Sequence, residues 1–239
     1  MDKYRKLYIW MFIPFLIAQF GIFNFYWAKV NAVYWNIHIH YWAVTLWYLL
    51  VIIQPYLIVH GKVSNHRTLG IFGFFIAGAV VASGISILDV PLKIIQSYSP
   101  TRPGPPIAFF YGTLVIEFLM MCAFVFAVSK AIFNRHIIDE HAWWLICSAF
   151  FMIAPALGRG MIVFWRGVMP PDKFTPVLPL LSTEIIYLLV FSLFVIKFGK
   201  FRHLATFIGF SLVLIRLLRI PIGSSEAIQS FLHGIIKWM

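Results

Sequence analysis

Histidine side chains open several apolar segments of this sequence, and imidazole is a ligand of metals and of haem iron. His66 precedes the third apolar segment and His141 precedes the fifth, so both are expected at the same end of a helix bundle. This matched depth predicts that His66 and His141 ligate the iron of a b-type haem, with Arg67 neutralising a haem propionate. A histidine at a helix end is also a common interfacial residue, because one end of its ring stays in water.

Small residues follow His66 along one helical face. Gly70, Gly73, Ala77 and Gly84 lie 4, 7, 11 and 18 positions after it. Such a groove would leave room for a flat macrocycle beside an axial ligand. Membrane helices use the same small residues for close packing against each other, so both interpretations stay open.

Charged side chains also occur inside the apolar segments, where a charge is costly and by default indicates function. Arg159 lies 18 residues after His141, which is five helical turns, so the two share a face. Glu117 and Glu184 each lie about ten residues inside a segment, and either could pair with Arg159, with Arg216 as a second cation. We expect a polar pocket for a quinone, a carboxylate or a haem propionate. A buried structural ion-pair network is the alternative.

A second set of candidate ligands begins at the other end of the bundle. His38 and His40, together with Glu117 and Glu184, offer the ligand types that zinc, iron or manganese bind. Helical residues two apart point in divergent directions, so both histidines can ligate one metal only if the helix starts after His38. The sequence contains no H-E-x-x-H, G-x-S-x-G or paired C-x-x-C motif that would support a known zinc or hydrolase site.

The composition requires lipid as the solvent for most of these segments. Of 239 residues, 62% are hydrophobic and only 11% are charged, and the mean hydropathy is +0.89. A soluble domain of this length cannot bury so much apolar surface. The composition therefore excludes an ordinary cytosolic enzyme, a disordered chain and a secreted disulfide scaffold.

Seven apolar runs are long enough to cross a bilayer as helices. The sequence predicts an all-α polytopic membrane bundle in a single domain, 1–239, with seven membrane helices and a C-terminal interfacial helix over 224–239. The histidine-bearing core is a four-helix unit over 36–164. The seven predicted helices are 7–28, 36–59, 68–90, 107–130, 141–164, 177–198 and 203–221.

The cations favour one orientation and argue against nucleic acid as a partner. The formal net charge is +11, but Lys and Arg are spread over the loops instead of forming one basic face. With the N-terminus inside, ten of them lie at the cytoplasmic side and six, Arg102 and Lys237 among them, at the other. This bias predicts a multi-pass protein of the bacterial inner membrane with a cytoplasmic N-terminus.

Two sets of residues along segments two to five form a recognisable pattern. The first set is His38, His40, Trp47, Gln54 and the run His66-Arg67-Thr68-Leu69-Gly70; the second is His141, Trp144 and the run Pro155-Ala156-Leu157-Gly158-Arg159. This pattern resembles that of a group of uncharacterised bacterial membrane proteins, the domain of unknown function 2306 type. The resemblance covers residues 38–159. One position departs from it, since Cys147 occupies the place of a second arginine that the group often has.

The resemblance implies a four-helix unit with histidines at the helix ends, similar in outline to b-type cytochromes. With the residues above, it favours a membrane redox protein that holds one haem b and exchanges electrons with a quinone or a redox partner protein. The alternatives are a non-haem metal-dependent membrane enzyme, and a transporter or structural subunit of a larger complex. A homo-oligomer fits each of them, and the sequence does not decide whether the protein is an enzyme.

Overall fold

The computed structural model describes residues 2–99 and 104–236, and within those ranges the regular structure is helical, with no strand. The prediction of an all-α membrane bundle is confirmed. Six helical stretches are long and apolar enough to cross a membrane, and a shorter apolar helix follows them. The six are Leu7–Ala32, Trp35–Val59, Val63–Gln96, Ile107–Phe133, Ile138–Val168 and Val177–Phe198.

The helices are numbered along the described chain. A short 3-10 helix, Asp2–Tyr4, precedes α1, and a second one, Trp27–Ala32, follows α2. The α-helices are α1 (Leu7–Trp10), α2 (Phe12–Ile22), α3 (Trp35–Val59), α4 (Val63–Ile87), α5 (Asp89–Gln96), α6 (Ile107–Phe133), α7 (Ile138–Phe151), α8 (Ile153–Val168), α9 (Val177–Phe198), α10 (Leu204–Leu217), α11 (Arg219–Gly223) and α12 (Glu226–Ile236).

Three of the histidine-bearing helices start earlier than the sequence predicted. Helix α4 begins at Val63 and α7 at Ile138, so His66 and His141 lie within the first turn of a helix and do not precede it. Helix α3 begins at Trp35, which places both His38 and His40 inside it. The condition for these two histidines to ligate one metal, a helix that starts after His38, is therefore not met.

The fifth membrane span is broken in its middle. Helix α7 ends at Phe151, and α8 begins two residues later, after Met152. Pro155 explains the break, because it lacks the N–H that would bond to the Phe151 carbonyl. Phe151, Met152 and Pro155, at and beside the break, line a cavity inside the bundle.

The seventh predicted segment, 203–221, is the shorter apolar helix. Helix α10 has 14 residues, about 21 Å at 1.5 Å per residue, against about 30 Å for a bilayer core. The chain continues through α11, which lies against α6 so closely that a Cβ at Gly112 would collide with the Arg219 carbonyl oxygen. This contact brings the arginines at the end of α10 toward α6.

An aromatic core holds α7 against α9. The Trp143 ring stacks on Phe191 with centroids 6.3 Å apart, and Phe150 meets Phe194 edge-on at 4.9 Å. All four side chains are fully buried. Large apolar side chains also cover the outside of the bundle, where lipid would contact them, among them Phe20, Ile71, Phe74, Phe75, Leu189 and Ile196.

The predicted C-terminal helix over 224–239 is α12, described as Glu226–Ile236. Its His233 Nε2 lies 2.6 Å from the Tyr111 hydroxyl of α6, while Phe231 is exposed. The predicted apolar face of this helix extends to Ile235 and Met239, whose side chains lie outside the described residues. Arg102 and Lys237, which entered the count of cations, also lie outside them.

Candidate functional site: an intramembrane cavity

A cavity of about 120 Å³ lies in the half of the bundle away from the N-terminus. We call the bundle end that holds Tyr4, Asn134 and Lys200 the N-terminal side, and the opposite end the far side. Helices α2, α3, α4, α6 and α8 enclose the cavity together with the break between α7 and α8. Its polar lining residues are Gln19, His40, Tyr41, Thr45, Glu117 and Arg159, and apolar side chains such as Met120, Met121, Phe124 and Phe151 form most of the rest.

His40 is held in the cavity wall by a serine of the neighbouring helix. Its Nδ1 lies 3.2 Å from the Ser83 hydroxyl oxygen, and that hydroxyl donates to the Val80 carbonyl at 3.2 Å. Because the Ser83 hydroxyl has one hydrogen and gives it to Val80, its oxygen accepts from Nδ1–H of His40. The neutral His40 ring therefore presents Nε2 as a hydrogen-bond acceptor.

Glu117 contributes a carboxylate to the same cavity. It lies ten residues after the start of α6, about 15 Å along the helix, which is membrane depth. Its carboxylate makes no hydrogen bond or ion pair within the described residues. The guanidinium groups of Arg159 and Arg219 are near enough for their charges to act on it. A carboxylate near two cations, with no bonded partner, can accept a hydrogen bond or a proton from a ligand.

Arg159 reaches the cavity from the helix that follows the break. Its Nη1 donates to the Pro155 carbonyl at 3.0 Å, one turn earlier in α8, and this is the hydrogen bond that orients the guanidinium. The side chain is half-buried and makes no ion pair among the described residues. The remaining N–H groups can donate to a ligand in the cavity.

Glu184 belongs to a different site. It accepts from Nε of Arg216 at 2.8 Å and from Nη2 at 2.7 Å, and both side chains are almost completely buried. The predicted alternative of an Arg159–Glu184 pair is therefore wrong, because the Glu184 carboxylate is paired with Arg216 of α10. Two arginines and two glutamates have similar predicted depths, so the sequence alone does not show which of them pair.

The predicted haem ligands both lie at the N-terminal side of the bundle, and an electrostatic interaction acts between His66 and His141. Nδ1 of His141 lies 2.8 Å from the Ala131 carbonyl oxygen, so it carries the ring hydrogen and leaves Nε2 free, the arrangement of a metal-ligating histidine. Arg67 is exposed beside them.

His66 fits an axial ligand less well. In the orientation that satisfies both ends of its amide, Gln54 donates to Nδ1 of His66 and accepts from the Gly70 N–H at 3.0 Å. The proton of a neutral His66 ring then lies on Nε2, so ligation through Nε2 requires the Gln54 amide to turn over. The middle of the stripe of small residues serves close packing, since a Cβ at Gly73 would lie 2.8 Å from Leu50 of α3, whereas Gly84 lines the cavity.

The four residues predicted for a non-haem metal do not form one cluster. His38 Nδ1 lies 2.9 Å from the Tyr26 hydroxyl, His40 is bonded to Ser83, and Glu184 is paired with Arg216. Within residues 2–99 and 104–236, no group of three or more His, Cys, Asp or Glu side chains is arranged to hold a metal ion.

A network of paired charges at the N-terminal side was not predicted from the sequence. Asp139, in the first turn of α7, accepts from the Tyr4 hydroxyl at 2.7 Å and pairs with Lys3 at 3.2 Å and with the almost buried Lys200. Burial, together with this hydrogen bond to Asp139, raises the pKa of Tyr4 above its ordinary value. Acidic residues at a helix N-terminus were the available signal.

The neighbouring Glu140 completes this network. Its carboxylate lies 2.9 Å from Nε2 of His203 and accepts from Nε1 of Trp144 at 3.2 Å. Nδ1 of His203 accepts from the Ala205 N–H and caps α10, so Nε2 carries the hydrogen and donates to Glu140. The network therefore ties the starts of α7 and α10 to the N-terminal segment.

Comparison of the chain with protein-family models, with curated proteins and with solved structures found no match.

Proposed function

We propose that this chain is a membrane redox protein that binds a quinone in the cavity between α3, α6 and α8. One observation carries the proposal. Three ionisable side chains from three helices, His40, Glu117 and Arg159, line one membrane-embedded cavity, and none of them is ion-paired within the described residues. Ionisable groups at this depth usually serve a ligand or a proton path.

The cavity suits the ring of a quinone in size and in lining. About 120 Å³ is close to the roughly 150 Å³ of an engineered protein cavity that binds benzene. The Met120, Met121 and Phe124 side chains offer apolar and polarisable contacts to a flat ring. The cavity is partly open, which leaves a passage for an isoprenoid tail.

The polar groups complement both redox states of such a ligand. Arg159 donates hydrogen bonds, which a quinone carbonyl oxygen accepts. His40 Nε2 and the Glu117 carboxylate accept hydrogen bonds, which the two hydroxyl groups of a quinol donate. The interconversion needs two electrons from a redox partner and two protons, for which His40 and Glu117 are the nearest carriers.

A b-type haem between His66 and His141 is the electron donor or acceptor that we propose at the N-terminal side. Two features support it: the electrostatic interaction between His66 and His141, and the His141 Nδ1 contact with Ala131. Arg67 would lie beside a propionate. When bound, haem supplies one-electron chemistry. For His66 to ligate it through Nε2, the ring hydrogen must lie on Nδ1, and the Gln54 amide must turn so that its oxygen accepts a hydrogen bond from that N–H.

The haem has a direct test in the absorption spectrum of the detergent-purified protein, oxidised and then reduced with dithionite. A sharp reduced band of a bis-histidine haem, absent from His66→Ala and His141→Ala, is the expected result. His60→Ala is the control and should retain the band, because His60 is exposed at the end of α3 and contacts the Tyr56 carbonyl. A colourless wild-type protein purified from haem-replete cells would leave only an external redox partner as the electron source.

The cellular setting belongs to the same proposal. The excess of cations at the N-terminal side, ten against six, supports a cytoplasmic N-terminus in a bacterial inner membrane. The proposal also includes membership of the domain of unknown function 2306 group. It further includes electron exchange with a redox partner protein and assembly as a homo-oligomer.

Quinone binding is tested by calorimetric titration of a short-chain quinone into the detergent-solubilised protein. We expect saturable binding that weakens about tenfold or more in Arg159→Met and His40→Ala, since each loses a hydrogen bond inside a water-poor cavity. His38→Ala is the matched control, because His38 lies on the same helix outside the cavity and should leave binding unchanged. Equal affinities of wild type, Arg159→Met and His40→Ala would reject the proposal.

Transport is the second candidate, and the break between α7 and α8 favours it. Transporters place their binding sites where membrane helices are interrupted, and here Phe151, Met152, Pro155 and Arg159 all line the cavity at such a break. Proteoliposomes distinguish the two functions: a transporter moves a labelled organic acid across the membrane, whereas a quinone-binding redox protein does not.

A further inference from the structure

Three buried donor groups lie outside the cavity without an acceptor. Of the buried side-chain nitrogen and oxygen atoms that the structure describes, only the Tyr187 hydroxyl, Nη1 of Arg216 and Nε of Arg219 have no hydrogen-bond partner. Such atoms cost free energy unless something bonds to them. Tyr187 belongs to α9, and the two arginines belong to the junction of α10 and α11, where the charge of Arg219 acts on Arg216.

Tyr187 and Arg216 are in direct contact. The Arg216 guanidinium lies over the Tyr187 ring, 4.5 Å from its centroid. The Tyr187 hydroxyl and Nη1 of Arg216 nevertheless have no hydrogen-bond partner of good geometry among the described residues. Each side chain is only 1% exposed, so bulk water does not satisfy either group.

The acid beside Arg216 cannot also satisfy Nη1. Glu184 accepts from Nε and Nη2, which lie on one edge of the guanidinium. Nη1 lies on another edge and is turned away from that carboxylate. Arg219, one turn further along, packs over the Phe109 ring at 4.8 Å, and its charge interacts with that of Arg216.

The charges of the far-side interior do not balance. Arg159, Arg216 and Arg219 supply three positive charges, and Glu117 and Glu184 supply two negative ones, which leaves one positive charge. Water could accept hydrogen bonds from the three donors but would not neutralise that charge. A monovalent anion does both.

We infer that Tyr187, Arg216 and Arg219 bind a small monovalent anion of the halide class between α9 and the α10–α11 junction. The anion must be small because two of the three side chains are almost inaccessible to solvent. The depth argues against a lipid phosphate: Arg216 lies 12 residues into α10, about 18 Å from its N-terminal-side end and still within the bilayer core. None of the three donors lines the quinone cavity, although the charge of Arg219 also acts on Glu117 of that cavity.

The test is equilibrium binding of radiolabelled chloride to the full-length protein in detergent, in a gluconate buffer, with bromide as the competitor. We expect saturable binding of about one chloride per chain, because the unbalanced charge is one. Arg219→Met removes a donor and the unbalanced charge, so chloride affinity should fall about tenfold or more. Tyr187→Phe removes one neutral donor, and a loss of about fivefold is expected.

Arg166→Met is the matched control. Arg166 also packs over a phenylalanine ring, Phe174 at 5.5 Å, but it is exposed, so its loss should leave chloride binding unchanged. Tyr187→Phe decides the result if Arg219→Met does not fold. The absence of saturable chloride binding, an unchanged affinity in Arg219→Met, or an equal loss in Arg166→Met would each overturn the inference.

Discussion

The network at the N-terminal side and the cavity at the far side use the same kinds of side chain in opposite ways. At the N-terminal side, the carboxylates of Asp139 and Glu140 are bonded to cations and ring N–H groups, most of them outside α7. In the cavity, Glu117 and Arg159 face the same space without bonding to each other. Charges bonded across helices fix their relative positions, whereas charges that face a cavity remain available to a ligand.

The difference has an energetic consequence. Removing one partner of a bonded pair leaves the other buried without compensation, which is costly. Removing a cavity charge breaks no bond between helices, so stability should change little while ligand binding is lost. Measurements of unfolding and of binding on the same variants can therefore separate the two regions.

The largest loss of stability is expected for the buried pair of Glu184 and Arg216. Glu184→Gln leaves the Arg216 guanidinium at 1% exposure without its carboxylate, which should cost about 3–5 kcal/mol in the free energy of unfolding. Denaturant unfolding in detergent, followed by tryptophan fluorescence, measures it. The double change Glu184→Met with Arg216→Met should recover much of the loss, and a double variant as unstable as the single one would contradict this account.

A smaller loss is expected at the N-terminal side. Asp139→Ala takes the acceptor from the almost buried Lys200 and from the Tyr4 hydroxyl, and should cost about 1–3 kcal/mol because one of these donors is charged. Asp172→Ala, in an exposed loop, is the control and should change stability by less than about 0.5 kcal/mol. Equal effects of the two changes would show that the network does not hold the helices.

The pH dependence of the same network gives a third, smaller effect. The pKa of Tyr4 is raised in the folded protein. The contribution of Tyr4 to the free energy of unfolding is therefore fully present below the ordinary tyrosine pKa of about 10, and it is lost as the pH rises toward the folded-state pKa. Stability should therefore fall above pH 10, and Tyr4→Phe should make that fall shallower. Denaturant midpoints from pH 8 to 11 test this, and identical slopes for the two proteins would reject it.

The smallest change in stability is expected in the cavity. Glu117→Gln should alter the free energy of unfolding by less than about 1 kcal/mol, because no bonded partner within the described residues loses its acceptor. The same variant should bind a quinol analogue more weakly, since an amide is a poorer acceptor than a carboxylate. A loss of several kcal/mol would mean that Glu117 is a structural group like Glu184.

The fold followed from the sequence, because apolar run lengths and bilayer thickness together leave few alternatives. The boundaries were less accurate where a helix continues into polar residues, as at Val63 and Ile138, since hydropathy does not mark the end of backbone hydrogen bonding. The break at Met152 was not predicted, although the sequence shows Pro155 inside the fifth segment. A proline in a long membrane segment often only bends the helix.

The sequence predicted Glu117 and Arg159 for a polar pocket and His40 for a separate metal site. The structure places all three around one cavity. Which arginine reaches Glu184 depends on the packing of α10 against α9, and no spacing within one helix encodes that contact. The network around Asp139 joins residues more than 60 positions apart, so a search for local motifs could not find it.

Photo-crosslinking with a photoreactive quinone, followed by mapping of the labelled peptides, tests the central claim most directly. We predict labelling of peptides from α3, α6 or α8 that contain His40, Glu117 or Arg159, suppressed by an excess of unlabelled quinone. The labelling should disappear in His40→Ala and persist in His38→Ala. Labelling confined to the exposed apolar faces of α4 or α9, or labelling that unlabelled quinone does not suppress, would contradict the account.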